Sequence, residues 1–359
     1  MKFKDAPDFK FLVTFVPNKQ EPIHNWYYYK EGFSKGLVDF FLSEFKVPKD
    51  SIVFDPFCGV GTTLLACKQR GIMSIGMDIS PLTVFVSRVK TRDYSIEELE
   101  KVVKEALKWK FTKPKRLPQE KWLRKVFSIW ALEDIMFYRK KIFEIEEEKA
   151  RDFLLLGLID SAMKCSFAYK DGALVRIKRR PVAPVAKMFK YKIRRMLKDL
   201  RKKPLPEVPV EVEIGDARNI ELSDNSIDFV ITSPPYMNKI EYTRIYKTEF
   251  SLFFNLPETK LRAYVGEGED TEKAYFKDMS KVLDELFRTC RPGARIAMVV
   301  GGGCFPDRVV EADRLVAELA QEKGFSVPEV LVARQSWCTR QKTIKVGKMR
   351  ESIILMQKP

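Results

Sequence analysis

The sequence predicts a doubly wound, mostly parallel α/β sheet interrupted by a basic, mostly helical insert. Short apolar runs alternate with amphipathic segments over residues 51 to 90 and again from 210 to 322. Between the first strand-like run and its helix lies a glycine-containing turn, Asp55-Pro56-Phe57-Cys58-Gly59-Val60-Gly61-Thr62-Thr63. Residues 101 to 203 hold 30 Lys and Arg against 12 Asp and Glu. The chain as a whole carries a net charge of +16, so everything outside this segment is close to neutral.

After an aromatic N-terminal stretch, SIVFD (51–55) reads as a strand and 62 to 70 as a helix. IMSIGM (72–77) is a second strand and 81 to 90 a second helix. The insert is helical by pattern over 95–110, 119–169 and 185–203, with breaks expected at Pro114, Pro118, Pro181 and Pro184. Strands resume with VEVEIGD and SIDFVIT, followed by helices near 241–255 and 272–290, the strand ARIAMVV and a helix near 307–322. Extended runs near 326–337 and 351–357 close the chain as a hairpin, expected to form an antiparallel sheet edge. The implied division is 1–94 and 210–359 for the two halves of one α/β domain, with 95–209 as the insert; KKPLPEVP is its Pro-rich hinge.

Composition narrows the function classes. With 359 residues, 45% of them hydrophobic, the chain can bury a large core. No run approaches the roughly 18 apolar residues of a membrane span, and MKFKDAPDFK has no apolar signal-peptide core, so a cytoplasmic protein without membrane partners is expected. The six cysteines show no Cys-x-x-Cys spacing and His24 is the only histidine. Neither a metal site nor a disulfide framework is expected. Asn and Gln together number only 13, which, with abundant Lys, Arg and Glu, fits a thermophile.

The charge is concentrated further within the insert. Residues 164 to 203 contain 15 basic residues and, as acids, Asp171 and Asp199 alone. Such density favours a phosphate backbone, whereas a merely solvated helix face mixes signs, as residues 144 to 149 do. Arg179, Arg180, Arg194 and Arg195 are the candidate nucleic-acid contacts.

Glycines at a strand-to-helix turn let backbone approach a ligand and aim helix N–H groups at it. Asp78 ends the second strand, 19 residues beyond Gly59, where a carboxylate can hold both hydroxyls of a ribose. An adenosine-type cofactor follows. Leu64 stands where a dinucleotide loop has its third glycine, and no Lys-Ser/Thr follows the turn as in a nucleoside triphosphate loop.

The strings DPFCGVGTT and GMDISP resemble motifs I and II of the class I S-adenosylmethionine-dependent methyltransferases that modify exocyclic amines of nucleic-acid bases. The resemblance covers residues 20–92 and 210–357 and implies a Rossmann-like sheet. It implies that Asp55, Pro56, Phe57, Cys58, Gly59, Gly61, Thr62 and Thr63 hold the methionine moiety of S-adenosylmethionine, and Asp78 and Ile79 the ribose. Asp216 and Ala217, after Gly215, would sit near the adenine. PIHNWYYYKEGFS is similar to the family's motif X, which carries His24, Lys30, Phe33 and Ser34 over to the cofactor's methionine end.

The strand SIDFVIT ends in Ser233-Pro234-Pro235-Tyr236, the catalytic tetrapeptide by resemblance. An aromatic exocyclic amine is a poor nucleophile because its lone pair is delocalised into the ring. Acceptors for its two hydrogens, here the Ser233 hydroxyl and the Pro234 carbonyl, can pyramidalise the nitrogen and free that pair. Pro234 and Pro235 preorganise the backbone, and Tyr236 offers a flat face to a flipped base. The displacement at a sulfonium methyl needs alignment more than strong acid–base help. Asn238, Tyr242 and Arg244 are further substrate candidates, and Arg350-Glu351-Ser352 looks like a family feature without a derived role.

Serine at the first position of the tetrapeptide usually accompanies cytosine-N4 methylation in this family, and Asp or Asn accompanies adenine-N6. The insert falls between the second and third strands, whereas DNA-modifying members generally place their target-recognition segment elsewhere. The expected activity is therefore cytidine-N4 methylation of structured, ribosomal RNA, as in archaeal members, with the insert gripping shape and phosphate. Site-specific DNA cytosine-N4 methylation is the alternative. A non-catalytic nucleic-acid-binding protein on the same fold is the third reading.

Overall fold

In the computed structural model, residues 1–171, 174–237, 242–254, 271–305, 307–340 and 344–359 are described. In chain order the first half comprises β1 (Lys2–Asp5), α1 (Lys35–Glu44), β2 (Ile52–Asp55), α2 (Thr62–Gln69), β3 (Met73–Asp78) and α3 (Pro81–Thr91). The insert region contributes α4 (Ile96–Lys108), α5 (Lys121–Val126), α6 (Ile129–Phe143), α7 (Glu148–Lys164), β4 (Ala168–Asp171), β5 (Leu174–Ile177) and α8 (Val185–Lys202). Then follow β6 (Val210–Ile214), β7 (Ile227–Thr232), α9 (Tyr242–Ile245), α10 (Lys247–Glu249), α11 (Thr271–Thr289) and β8 (Cys290–Gly301). The chain ends with β9 (Gly303–Cys304), β10 (Val309–Val310), α12 (Ala312–Glu322), β11 (Glu329–Arg340) and β12 (Ile344–Gln357).

The main sheet has eight strands in the order β1-β11-β12-β8-β7-β2-β3-β6. All neighbours pair in parallel except those of β12, which runs antiparallel to both β8 and β11. This is the Rossmann-like α/β architecture the sequence predicts. The chain runs outward from β2 through β3 to β6, then returns to place β7 on the other side of β2, so the order reverses between β2 and β7. In an open α/β sheet that reversal opens a crevice beyond the strand C-termini.

Strand alternation explains the two covered faces, since successive side chains point to opposite sides. Val53, Ile231, Ala297 and Val299 pack with Leu37 and Phe41 of α1 and Ala66 of α2. Their neighbours Phe54, Val230, Ile296 and Met298 pack instead with Met279 and Leu283 of α11 and Val316 of α12.

Five expectations change. The terminal hairpin is interior, because the N-terminal residues Lys2–Asp5 pair in parallel with β11 and form the edge; all four are exposed, and the run is too polar to read as a strand. The stretch 119–169 is not one helix. Ser128 caps the start of α6 by accepting from Ala131 N at 3.2 Å, Glu147 caps α7 through the amides of Lys149 and Ala150, and β4 and β5 form a hairpin. Side-chain caps compete with helix continuation in this way. Near 241–255 the described residues form only the short α9 and α10 and a π turn over Phe250–Phe254. The helix expected from 307 begins at Ala312, after the β9–β10 hairpin, and Cys304 and Cys338 form a disulfide where none was expected.

The insert does not have a core of its own. Leu99, Ile135, Leu154 and Phe189 belong to the same buried cluster as Trp26 and Tyr27 of the N-terminal stretch and Val86 of α3. Trp26 fixes the junction by donating its indole N–H to Asp199 of α8 at 3.1 Å. In α8 the buried positions Val185, Phe189, Ile193, Met196 and Leu200 recur every three or four residues, which leaves Lys187, Arg194, Arg195, Lys198 and Arg201 on the exposed face. No helix among the described residues is long and apolar enough to cross a membrane.

Candidate active site

β2 delivers Asp55 to the sheet's C-terminal edge, and the loop to α2 turns back through Gly59 (φ +50°) and Gly61 (φ +75°). A side chain at Gly61 would meet the Ser87 hydroxyl of α3 at 2.3 Å, so glycine permits this close packing. The Asp55 carboxylate is almost fully buried and accepts from the Thr232 hydroxyl at 2.6 Å, the Thr63 hydroxyl at 2.8 Å and Phe57 N at 3.1 Å. Burial outweighs these donors and pushes its pKa up to about 6. Asp78, at the end of β3, accepts from Gly59 N at 3.0 Å and Ser80 N at 2.9 Å, and burial raises it too. The acid thus holds the glycine loop as well as facing the cavity.

Ser233-Pro234-Pro235-Tyr236 leaves the end of β7, the strand next to β2 at the reversal. The two motifs face one cavity of about 320 Å³. Its wall includes Asp55, Pro56, Phe57, Cys58, Gly59, Thr62, Asp78, Ile79, Asp216 and Ala217, together with Lys30, Phe33 and all four residues of the tetrapeptide. Asp216 is pulled below the usual carboxylate range: burial opposes this, but hydrogen bonds from Arg218, at 2.7 to 3.1 Å, win.

Other candidates stand elsewhere. Gly61 and Thr63 lie behind the cavity wall, Thr63 bonding Asp55 and Ile231 O. Ser34 caps α1 and donates to Leu12 O at 2.9 Å. His24 is buried away from the cavity; burial and nearby Lys90 hold its pKa well below the usual histidine value, and its carbonyl accepts from Lys90. Motif position put His24 among the cofactor residues, but its ring turns into the core. Arg244 is exposed on α9, while Asn238 and the Tyr242 side chain lie outside the described residues.

Several wall residues had no role derived from the sequence. Glu351 of β12 accepts the Tyr236 hydroxyl at 2.5 Å and pairs with Arg334 of β11. Its neighbours Arg350 and Ser352 turn to the other face and bind buried Asp313 of α12, at 2.9 and 2.7 Å. Strand alternation thereby gives Arg350-Glu351-Ser352 two jobs, one helix-anchoring and one cavity-lining. Tyr29 and Tyr246, also on the wall, stack 5.4 Å apart, with the Lys170 ammonium 3.2 Å from the Tyr246 ring centre.

A second groove adjoins the cavity through Lys30, which borders both. Lys19, Lys164, Lys170, Arg180 and Arg195 line it, with Tyr28 and Tyr169, each more than 40% exposed. Arg179 and Arg194 are exposed outside it.

The profile of a family described as "DNA methylase" matches residues 14–87, the span that contains the glycine loop and Asp78. The chain is 26% identical to the Type II methyltransferase M.BsoBI of Geobacillus stearothermophilus, over 97% of this chain and 88% of that one. The similarity is thus to DNA-modifying methyltransferases, along nearly the whole chain. The chain is also 23% identical to the Type II methyltransferase M.AvaI of Nostoc, over 89% of this chain and 83% of the relative. With M.MjaII of Methanocaldococcus jannaschii the identity is 32%, confined to 41% of this chain and 27% of the relative. The alignments with M.BsoBI and M.AvaI span the insert, so its placement between β3 and β6 is no argument for RNA. The RNA, archaeal and thermophile expectations have no support in these matches, and the DNA alternative is the better supported.

Proposed function

We propose that the chain transfers a methyl group from S-adenosylmethionine to an exocyclic amine of DNA, cytosine N4 being the target. One observation carries the proposal: Asp55 and Ser233 stand at the C-terminal ends of adjacent strands, at the reversal of strand order, on one cavity.

The wall suits this cofactor. Three carboxylates, Asp55, Asp78 and Asp216, are spaced along it, matching an ammonium, a ribose diol and an adenine amine in turn. Gly59, at φ +50°, lets the loop turn past the Tyr29 ring in a conformation that other residues rarely adopt. The bound cofactor supplies an electrophilic sulfonium methyl. Ser233 and the Pro234 carbonyl are then the acceptors for the amine hydrogens, and serine at this position favours cytosine by family resemblance. Tyr29, Tyr236, Tyr246 and Phe250 offer aromatic faces to a base drawn out of its stack.

Cations of the second groove, which shares Lys30 with the cavity, suit the phosphates flanking that base, with Tyr28 and Tyr169 as stacking faces. The test is direct: purified protein with methyl-labelled cofactor is offered equal masses of genomic DNA and total RNA. Label is expected in DNA. Label confined to RNA would restore the RNA reading, and no label in either would leave only the binding-protein reading.

A further inference from the structure

One cation of the second groove is already committed inside the protein. Lys170 of β4 pairs with Glu249 of α10 at 3.3 Å, and its ammonium lies 3.2 Å from the centre of the Tyr246 ring. Glu249 is 1% exposed. Its Oε1 accepts from both Lys170 and the Tyr27 hydroxyl, the latter at 2.9 Å, while Oε2 is buried without a hydrogen-bond partner. Among the described residues, Lys170 is the one cation that pairs with this carboxylate.

These contacts converge on the segment that follows the catalytic tetrapeptide. Tyr246 and Phe250, on either side of Glu249, both line the cavity. Tyr246 is held at its hydroxyl by Glu31, at 2.6 Å, and at its ring by Tyr29 and Lys170. A second element of the insert holds the same segment: Trp122 of α5 donates its indole N–H to Thr248 at 2.9 Å, and the Lys247 ammonium lies 3.5 Å from the Trp122 ring centre. The insert therefore grips this part of the cavity wall from both β4 and α5.

Electrostatics keeps Lys170 where it is. Drawing its ammonium to a phosphate would strip a buried carboxylate of its cation, which costs far more than moving an exposed side chain, and would also give up the cation–π contact. Phosphates then fall to exposed cations of the groove such as Arg180 and Arg195. Lys170 lines the groove and not the cavity, so it can act on the reaction only through Tyr246 and Glu249.

We propose that Lys170 is a positioning residue for methyl transfer and not a phosphate contact: paired with Glu249 and seated over the Tyr246 ring, it fixes the aromatic wall against which the target base is held. This role rests on the methyltransferase reading above. A base held against a fixed wall meets the methyl group in line, whereas a loose wall costs rate without costing affinity for the duplex.

Lys170→Met keeps the stem and removes the charge, Lys170→Arg restores a charge that can pair and stack, and Glu249→Gln keeps the shape of the partner. Each is compared with wild type by fluorescence anisotropy on duplex DNA at several salt concentrations and by single-turnover transfer of labelled methyl at saturating DNA and cofactor. For Lys170→Met the expected result is a DNA dissociation constant within about twofold of wild type, an unchanged salt slope, and transfer slower by about tenfold or more, most of it recovered in Lys170→Arg. Glu249→Gln should show the same pattern, and the double variant with Lys170→Met should be no slower than the slower single one, because both remove one shared contact. A salt slope lowered by about one unit in Lys170→Met would make Lys170 a phosphate contact and overturn the proposal. Transfer within about twofold of wild type in Lys170→Met or in Glu249→Gln would overturn it as well, and so would losses that simply multiply in the double variant. Failure of the wild type itself to label any nucleic acid would instead sink the methyltransferase reading, and the positioning role with it.

Discussion

Thr232 donates its hydroxyl hydrogen to Asp55 at 2.6 Å, joining two residues 177 positions apart. The bond ties the end of β7 to the end of β2, so the residue before Ser233 and the first residue of the glycine loop hold one geometry. Thr232→Val keeps the shape and removes the donor. It should cost about 1 to 3 kcal/mol in chemical denaturation, because a buried acceptor loses a partner. Asp55→Ala should go further and abolish cofactor binding by calorimetry.

Asp55 also predicts a pH dependence. Its pKa is raised to about 6, chiefly by burial, so the folded apo protein holds this proton more tightly than the unfolded chain does. The apo fold therefore loses stability as pH rises from about 4 to about 6, and the cofactor's ammonium recovers that loss by pairing with the ionised carboxylate. Cofactor affinity should climb through this window and level off above it. The climb should vanish in Asp55→Asn; a flat wild-type profile would remove Asp55 from the ammonium site.

Gly301 of β8 lies under the Tyr236 ring, where a Cβ would stand 2.5 Å from ring carbons. Gly301→Ala should displace the ring and slow methyl transfer by about tenfold or more, while leaving the cofactor dissociation constant within about twofold of wild type. Equal losses in both would show that the ring supports the cofactor side of the cavity instead.

The basic residues should not be equivalent. Arg180 and Arg195 line the groove that adjoins the cavity, whereas Arg179 and Arg194 are exposed beyond it. Reversing the groove pair should weaken DNA binding more and lower the salt slope by about one unit per lost phosphate contact. Fluorescence anisotropy at several salt concentrations measures both. Equal slopes for the two double variants would mean that the insert attracts DNA diffusely.

Much of this site is visible in sequence because its parts are local. Asp55, Gly59 and Asp78 sit at strand ends flagged by apolar runs, and Ser233-Pro234-Pro235-Tyr236 follows another. What escapes notice depends on pairings across the chain. Glu351 belongs to a stretch that resembles a family feature, but its role emerges only when β12 inserts between β8 and β11 and turns it toward Tyr236. The exposed Lys2–Asp5 run carries no strand signal, so the hairpin's interior place was not foreseeable. His24 shows the opposite failure: its motif position is suggestive, but Trp26 and Ile23 draw that turn into the core.

Mass spectrometry of nucleosides tests the central claim most directly. DNA treated with the protein and isotopically labelled S-adenosylmethionine should yield labelled N4-methylcytosine, and the Ser233→Ala variant should yield far less. Labelled N6-methyladenine in its place would contradict the assignment of the base, and DNA without any labelled nucleoside, beside labelled RNA, would contradict the account as a whole.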